Sequence, residues 1–201
     1  MTWRLYGSLP KSAIDRLLAT RQLLEREASK AKVRLKELKI THNKKLFAMF
    51  DDFLDKAEAG PTWLRQSTIA DMIQDALLNR YCQFYRLWAY AIMPNHVHTL
   101  LRPKQLSFST DVFIPLSEIT RRLKGYTARE ANRILERTGL TFWQKESFDH
   151  WPRDENEFYR IVAYIENNPV KAGLVERPSD WIWSSAGERK RRGWTEIRSL
   201  T

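Results

Sequence analysis

The chain has one cysteine, Cys82, so no intrachain disulfide and no cysteine-based zinc cluster can form. Cys82 is read as a free thiol, buried or half-buried. No stretch approaches the ~20 consecutive apolar residues needed to cross a bilayer, and no membrane partner is expected. The opening MTWRLYGSLPK lacks the apolar core of a secretory signal, so a cytoplasmic location is expected. Glycine is scarce, at seven residues, and none builds a Walker-type phosphate loop. Histidine is scarcer still, at four. Internal repeats and low-complexity linkers are absent.

What is present is a folding chain of 201 residues with 43% hydrophobic and 29% charged side chains. That length suits one domain, alone or with an appendage. Eight tryptophans, nine phenylalanines and seven tyrosines supply large core side chains. The net charge of +10 favours a polyanion such as nucleic acid. Charge alone does not decide this, because basic proteins also bind membranes and protein partners.

TWRLY reads as a short strand. A charged stretch from about Lys11 to Leu46 reads as a solvated helix with one apolar face. Phe47, Phe50, Phe53 and Leu54 give a second helical pattern, ended by Ala59-Gly60-Pro61. Ile69, Met72, Ile73, Ala76 and Leu77 predict a helix over Ser67–Arg80. FYRLWAYAIM and HVHTLLRP predict two strands joined through Met93-Pro94-Asn95 as a hairpin. Ser117 is expected to cap a helix running to about Glu136, closed by Thr138-Gly139. TFWQKESFDHW reads as a loop or short hairpin. Asp154 is expected to cap a helix that Pro169 ends at Asn168. KAGLV and PSDWIWSSA read as an irregular tail, and the basic run at 188–194 as a mobile arm.

Two spacings carry chemistry. His96-Val97-His98 on a strand puts both imidazoles on one face, able to grip one metal ion. A pair of surface histidines on a strand has the same pattern, so HxH alone is a weak signal. Tyr164 and Asn168 stand four apart on a predicted helix and share a face. A phenol and an amide oxygen could then address one site. Taken alone, a tyrosine on such a helix is usually core, and an asparagine before proline is usually a stop.

Taken in order, AYAIMPNHVHTLLRP, RRLKGYTAREAN, FWQKESFDHWPRDENEFYRIVAYIENNPVKAGLV and DWIWSSA resemble the single-tyrosine HUH transposases. More narrowly, they are similar to the REP-associated tyrosine transposases of bacteria. The match runs from about Gly60 to Ala186, roughly two thirds of the chain. The resemblance implies an α+β fold: a ferredoxin- or RRM-like antiparallel sheet with helices on one face. The histidine pair would lie on a central strand, with the tyrosine helix packed near it. Residues 1–187 would form the transposase-like domain, about 11–60 a helical insertion, and 188–201 a basic C-terminal tail. The chain starts almost at the family's first strand, which implies either a shortened edge strand or a start site placed too late.

The resemblance also implies roles. Tyr164 is the nucleophile, giving a 5′-phosphotyrosine and a free 3′-hydroxyl. Because the covalent link keeps the bond energy, rejoining needs no ATP. His96, His98 and Asn168 hold a divalent metal, magnesium or manganese; imidazoles also suit softer metals such as zinc. Arg121, Arg122, Lys124 and Asn132 fall in a basic motif that would contact DNA. The partner is single-stranded or hairpin DNA, and the protein is a monomer or homodimer. Tyr126 is the rival nucleophile, and Trp143, Phe148 and Trp151 could stack on bases or fill the core. Glu166 points elsewhere on its helix and is not assigned as a base. Two other functions stay open. One is a non-catalytic hairpin binder. The other is a metal-dependent phosphoesterase, which would need a second H-x-[ST] motif that the sequence lacks.

Overall fold

The computed structural model describes residues 1–30, 35–56, 59–106 and 112–201. The chain divides into two compact units, Gly7–Pro61 and the rest, Met1–Tyr6 with Thr62–Thr201.

Within Gly7–Pro61, the charged stretch forms two helices, α1 (Lys11–Lys30) and α2 (Leu35–Lys56). Residues 31–34, inside the stretch expected to be one helix, lie outside the described residues. The phenylalanine segment continues α2 and does not start a helix of its own. On α1 the least exposed positions, Ala13, Leu17, Thr20 and Leu24, recur at helical spacing. Arg16 stacks over Phe53, 5.6 Å from its ring centre. The ends of this unit meet through glycine. A Cβ on Gly60 would stand 2.1 Å from the carbonyl oxygen of Gly7, and both residues have positive φ, 81° and 75°.

The other unit is built on a three-stranded antiparallel sheet of β1 (Thr2–Arg4), β2 (Tyr85–Ile92) and β3 (His96–Pro103). Its order is β1-β3-β2, which puts β3 in the centre, as expected for the histidine strand. The β2–β3 turn is Met93-Pro94-Asn95, closed by Met93 N–H donating to His96 O at 2.8 Å.

Alternation on β3 sends Val97, Thr99 and Leu101 to one face and His96, His98, Leu100 and Arg102 to the other. The first face packs on α3 (Ser67–Asp75) and α4 (Leu116–Ile134) in a core that includes Trp3, Leu5, Ile69, Ile73, Leu87 and Val97. The second packs Leu100 with Ala89, Ala91 and Met93 against Val162 and Ile165 of α5 (Glu155–Lys171). On β2 the alternation breaks at a β-bulge between Leu87 and Ala89. Trp88 and Ala89 therefore both turn to the α5 side, while Leu87 and Tyr90 turn to the other.

Both sheet edges are covered, which removes unpaired strand edges that could template aggregation. Segment 142–148, expected as a loop or self-paired hairpin, lines the free edge of β1. Thr2 and Phe148 exchange backbone bonds at 2.8 Å, and Gln144 N–H reaches Arg4 O at 2.9 Å. On the β2 edge, Ile92 N–H donates to Trp183 O at 2.9 Å and Leu200 N–H to Leu87 O at 2.8 Å.

Several helix limits differ from expectation. The segment after Ser67 is α-helical to Asp75 and widens into a π turn over Ala76–Arg80, where the Tyr85 hydroxyl donates to Leu77 O at 2.8 Å. Pro115, not Ser117, occupies the cap of α4, and its carbonyl accepts from the amides of Glu118 and Ile119. Asp154 caps α5 as expected, accepting from Glu157 N–H. Pro169 does not end α5 but sits in its last turn. It forfeits one helical bond there, and the amides of Ala172, Gly173 and Leu174 close on Asn168, Val170 and Pro169. The basic run expected as an arm belongs largely to a helix, α6 (Ser185–Arg192), capped by Ser184 and closed by the left-handed Gly193. Among the described residues no helix is long and apolar enough to cross a membrane.

Candidate nuclease site

The site lies on the α5 face of β3. His96 and His98 are buried side by side, with ring centres 4.6 Å apart and Nε2 atoms 2.8 Å apart. Each ring is held from behind. Asn95 Oδ1 lies 2.6 Å from His96 Nδ1. An amide oxygen only accepts, so His96 carries its proton on Nδ1 and turns the Nε2 lone pair towards His98. Thr2 Oγ1 lies 2.7 Å from His98 Nδ1. This hydroxyl can donate or accept, so His98 can present either an N–H or a lone pair to His96. Two lone pairs at 2.8 Å repel, so a proton or a cation must lie between the rings.

The donors fit a cation. Two cis nitrogens on an octahedral ion with bonds of about 2.1 Å stand about 3.0 Å apart, and two on a tetrahedral ion about 3.4 Å. The observed 2.8 Å is nearer the octahedral value. Fixing the far ring nitrogen is what orients metal-binding histidines.

Helix α5 brings the second pair. The Tyr164 ring meets His98 edge-on, with ring centres 6.0 Å apart at 79°. Asn168, one turn on, is buried; its Nδ2 donates to Tyr164 O at 3.0 Å. Its Oδ1 is buried without a hydrogen-bond partner among the described residues. A buried acceptor left so is costly, and a bound cation would satisfy it. The structure thus joins Tyr164 to His98 and leaves an amide oxygen on the same helix face available as a ligand.

A buried polar cluster ties α5 to β2 and to the α6 segment. Glu166 turns away from the histidines, as its place on the helix implied, and accepts from Ser185 Oγ and Arg189 Nη2. Ser185 also bonds the backbone of Tyr90 on β2. Gly187 is required beside it: a Cβ there would stand 2.3 Å from Trp181 O.

Three neighbours of the site escaped sequence reasoning. Asn95 and Thr2 orient the histidines, and Arg4 pairs in register with His96 on β1. Burial holds the Arg4 guanidinium below its usual range, partly offset by the charge of Glu146. For Thr2 and Arg4 the available signal is alternation on TWRLY, which needs the register to β3, whereas Asn95 directly precedes His96 in sequence.

The chain matches the family model for IS200-like transposases over residues 62–168, more than half of its length. The chain belongs to the IS200-like transposase family. The family cleaves and transfers DNA, as the sequence resemblance implied. A REP-associated tyrosine transposase of Haemophilus influenzae is 27% identical over 129 residues, covering 60% of this chain and 72% of that one. A second, uncharacterised H. influenzae protein is 30% identical over 103 residues, covering 42% and 54%. A solved REP-associated tyrosine transposase bound to a REP hairpin shares the fold, with TM-score 0.51 and 21% identity over 70% of this chain and 79% of that one.

The remaining candidates of this IS200-like chain are dispersed. Arg121 and Arg122 on α4 both pair with Glu118, and Arg122 also stacks on Phe84. Those bonds hold the Glu118 carboxyl below its ordinary range. Lys124 donates to the carbonyls of Gln144 and Lys145, and burial lowers its pKa. Asn132 is buried and donates to Leu140 O at 2.6 Å. Tyr126 lies under Arg80 on the α4 side of the sheet, away from the histidines. Trp143 is core, bonded to Thr127, whereas Trp151 is 70% exposed. Cys82 is a half-buried free thiol.

Proposed function

We propose that this transposase-family chain nicks and rejoins single-stranded DNA at hairpin-containing, REP-like sites through Tyr164. The observation that carries the reading is the Tyr164 ring held edge-on against His98, one face of α5 against one face of β3. The names of the relatives support the substrate class: one is a REP-associated transposase, and the solved neighbour was captured on a REP hairpin.

In this reading His96, His98 and Asn168 hold a divalent cation, magnesium or manganese. Bound there, it would neutralise charge on the scissile phosphate and orient the group. A free phenol is protonated at neutral pH, with a reference pKa of about 10, so the tyrosine proton leaves during attack, to water or a neighbouring base. The phenolate oxygen forms a bond to phosphorus while the bond to the 3′ oxygen breaks. The products are a 5′-phosphotyrosine and a free 3′-hydroxyl. Reversal by a 3′-hydroxyl restores the phosphodiester and returns the proton to Tyr164, with no external energy source. Arg4, paired with His96 across the strands, adds positive charge beside the phosphate. Arg121, Arg122, Lys124 and Asn132 form the proposed DNA-facing segment; the two arginines are its exposed members. Histidines and tyrosine of one chain stand together, which favours cleavage by one protomer, whether monomer or homodimer.

The test is incubation of labelled hairpin DNA with manganese. The expected result is a covalent protein–DNA adduct that disappears in Tyr164→Phe. Cleavage that survives this change would mean a phosphoesterase, and binding without cleavage a hairpin-binding protein.

A further inference from the structure

Arg86 and Arg102 are directly opposed across β2 and β3. Like charges in that position destabilise a sheet. Neither has a carboxylate partner among the described residues. Lys104 adds a third cation, and among the described residues its side chain donates to the Cys82 carbonyl at 3.0 Å. Together with Leu106 and Phe113 these residues line a cleft of about 480 Å³. Phe113 is 38% exposed, and Arg102 lies over its ring at 5.8 Å. A backbone bond from Ile114 N–H to Lys104 O, at 2.9 Å, holds the Phe113 segment against β3.

The placement relates this cleft to the histidines. Arg102 lies on the same face of β3 as His96 and His98. Four residues of antiparallel strand separate it from His98, about 14 Å. The same end of the sheet carries Arg122, whose guanidinium stacks on Phe84, and Phe84 O accepts from Lys104 N–H at 2.9 Å. The contrast with α4 is in the partners: Arg121 and Arg122 already share Glu118, while Arg86 and Arg102 face each other.

We infer that this cleft is a subsite for the single-stranded DNA flanking the hairpin, with its phosphates between Arg86, Arg102 and Lys104 and a base on Phe113. An anion between the opposed arginines offsets their repulsion. An exposed aromatic among cations suits an unpaired base, whose faces are free to stack, better than a duplex stem. The assignment rests on the DNA-processing reading above.

The experiment measures binding of the full chain to two fluorescent probes across a salt series. One is a blunt hairpin; the other is the same hairpin with single-stranded extensions. In the double variant Arg86→Gln/Arg102→Gln, the log–log salt slope for the extended probe should fall by about 1.4, two single-strand phosphate contacts. The blunt probe should keep its slope. The melting temperature should rise, because the opposed charges are gone. Phe113→Ala should weaken only the extended probe and leave its slope unchanged. Unchanged slopes, an equal fall for both probes, or a lower melting temperature would each overturn the subsite. Failure of the unmodified chain to bind either probe would instead sink the transposase reading.

Discussion

Val97, Thr99 and Leu101 on β3 look into the α3–α4 core, while His96, His98 and Arg102, interleaved with them, look towards α5 or beyond it. Substitutions on the first side should be felt in melting behaviour. On the second they should be felt in chemistry, because Thr2, Asn95 and the α5 cluster already fix the geometry. Rigidity comes from one side of a single strand and reactivity from the other.

The sharpest way to break this division is Tyr164→Phe. Losing the proposed nucleophile should lower cleavage by more than about 10³-fold with a melting temperature within a degree or two of the parent. Adduct gels and calorimetry measure the two quantities together. His96→Ala should also remove cleavage, and it should abolish any rise in melting temperature on adding manganese. A rise that persists in this variant would put the ion elsewhere. The reverse probe is Leu87→Ala in the α3–α4 core. It should cost about 2–5 kcal/mol in urea unfolding, with residual activity tracking the folded fraction. Glu166→Ala sits between the two classes. It strands the buried Arg189 guanidinium, so a loss of about 3 kcal/mol is expected. If Glu166 sets the angle of α5, cleavage per folded molecule falls as well. The smallest effect concerns Glu118, whose carboxyl is depressed mainly by hydrogen bonds from Arg121 and Arg122. A depressed carboxyl stabilises the fold above its ordinary pKa, and that contribution is lost as pH falls through the depressed value. Glu118→Gln should therefore flatten the acid limb of the melting-temperature profile slightly.

Much of this arrangement was legible because β3 alternates without interruption. HVHTLLRP needs no partner to show which residues share a side, and Tyr164 and Asn168 need only the helical repeat. Where the structure differs from the sequence-based expectation, the deciding contacts are bonds that composition does not show. The basic run at 188–194 looks like a solvated arm by composition. Its anchors are Ser184 and Ser185, just before it, and Glu166, 23 residues before Arg189. Helix α5 runs past Pro169 because proline is tolerated in a last turn whose carbonyls find other amides. Thr2 could not be linked to His98 without the β1–β3 register. The arginine cleft escaped because Arg86 and Arg102 are opposed only once the β2–β3 pairing is known.

The extra residue at Trp88 has a consequence for how β2 can change. From Tyr90 onward its side chains keep their assignment only because one position is spent out of step. Deleting residue 88 would restore a regular zigzag and leave every other side chain on its present face, whereas deleting Leu87 would drive Arg86 into oil and deleting Ala91 would throw Ile92 out of the α3–α4 core. A lineage or a designer can therefore shorten β2 by one at the bulge far more easily than anywhere else along the strand.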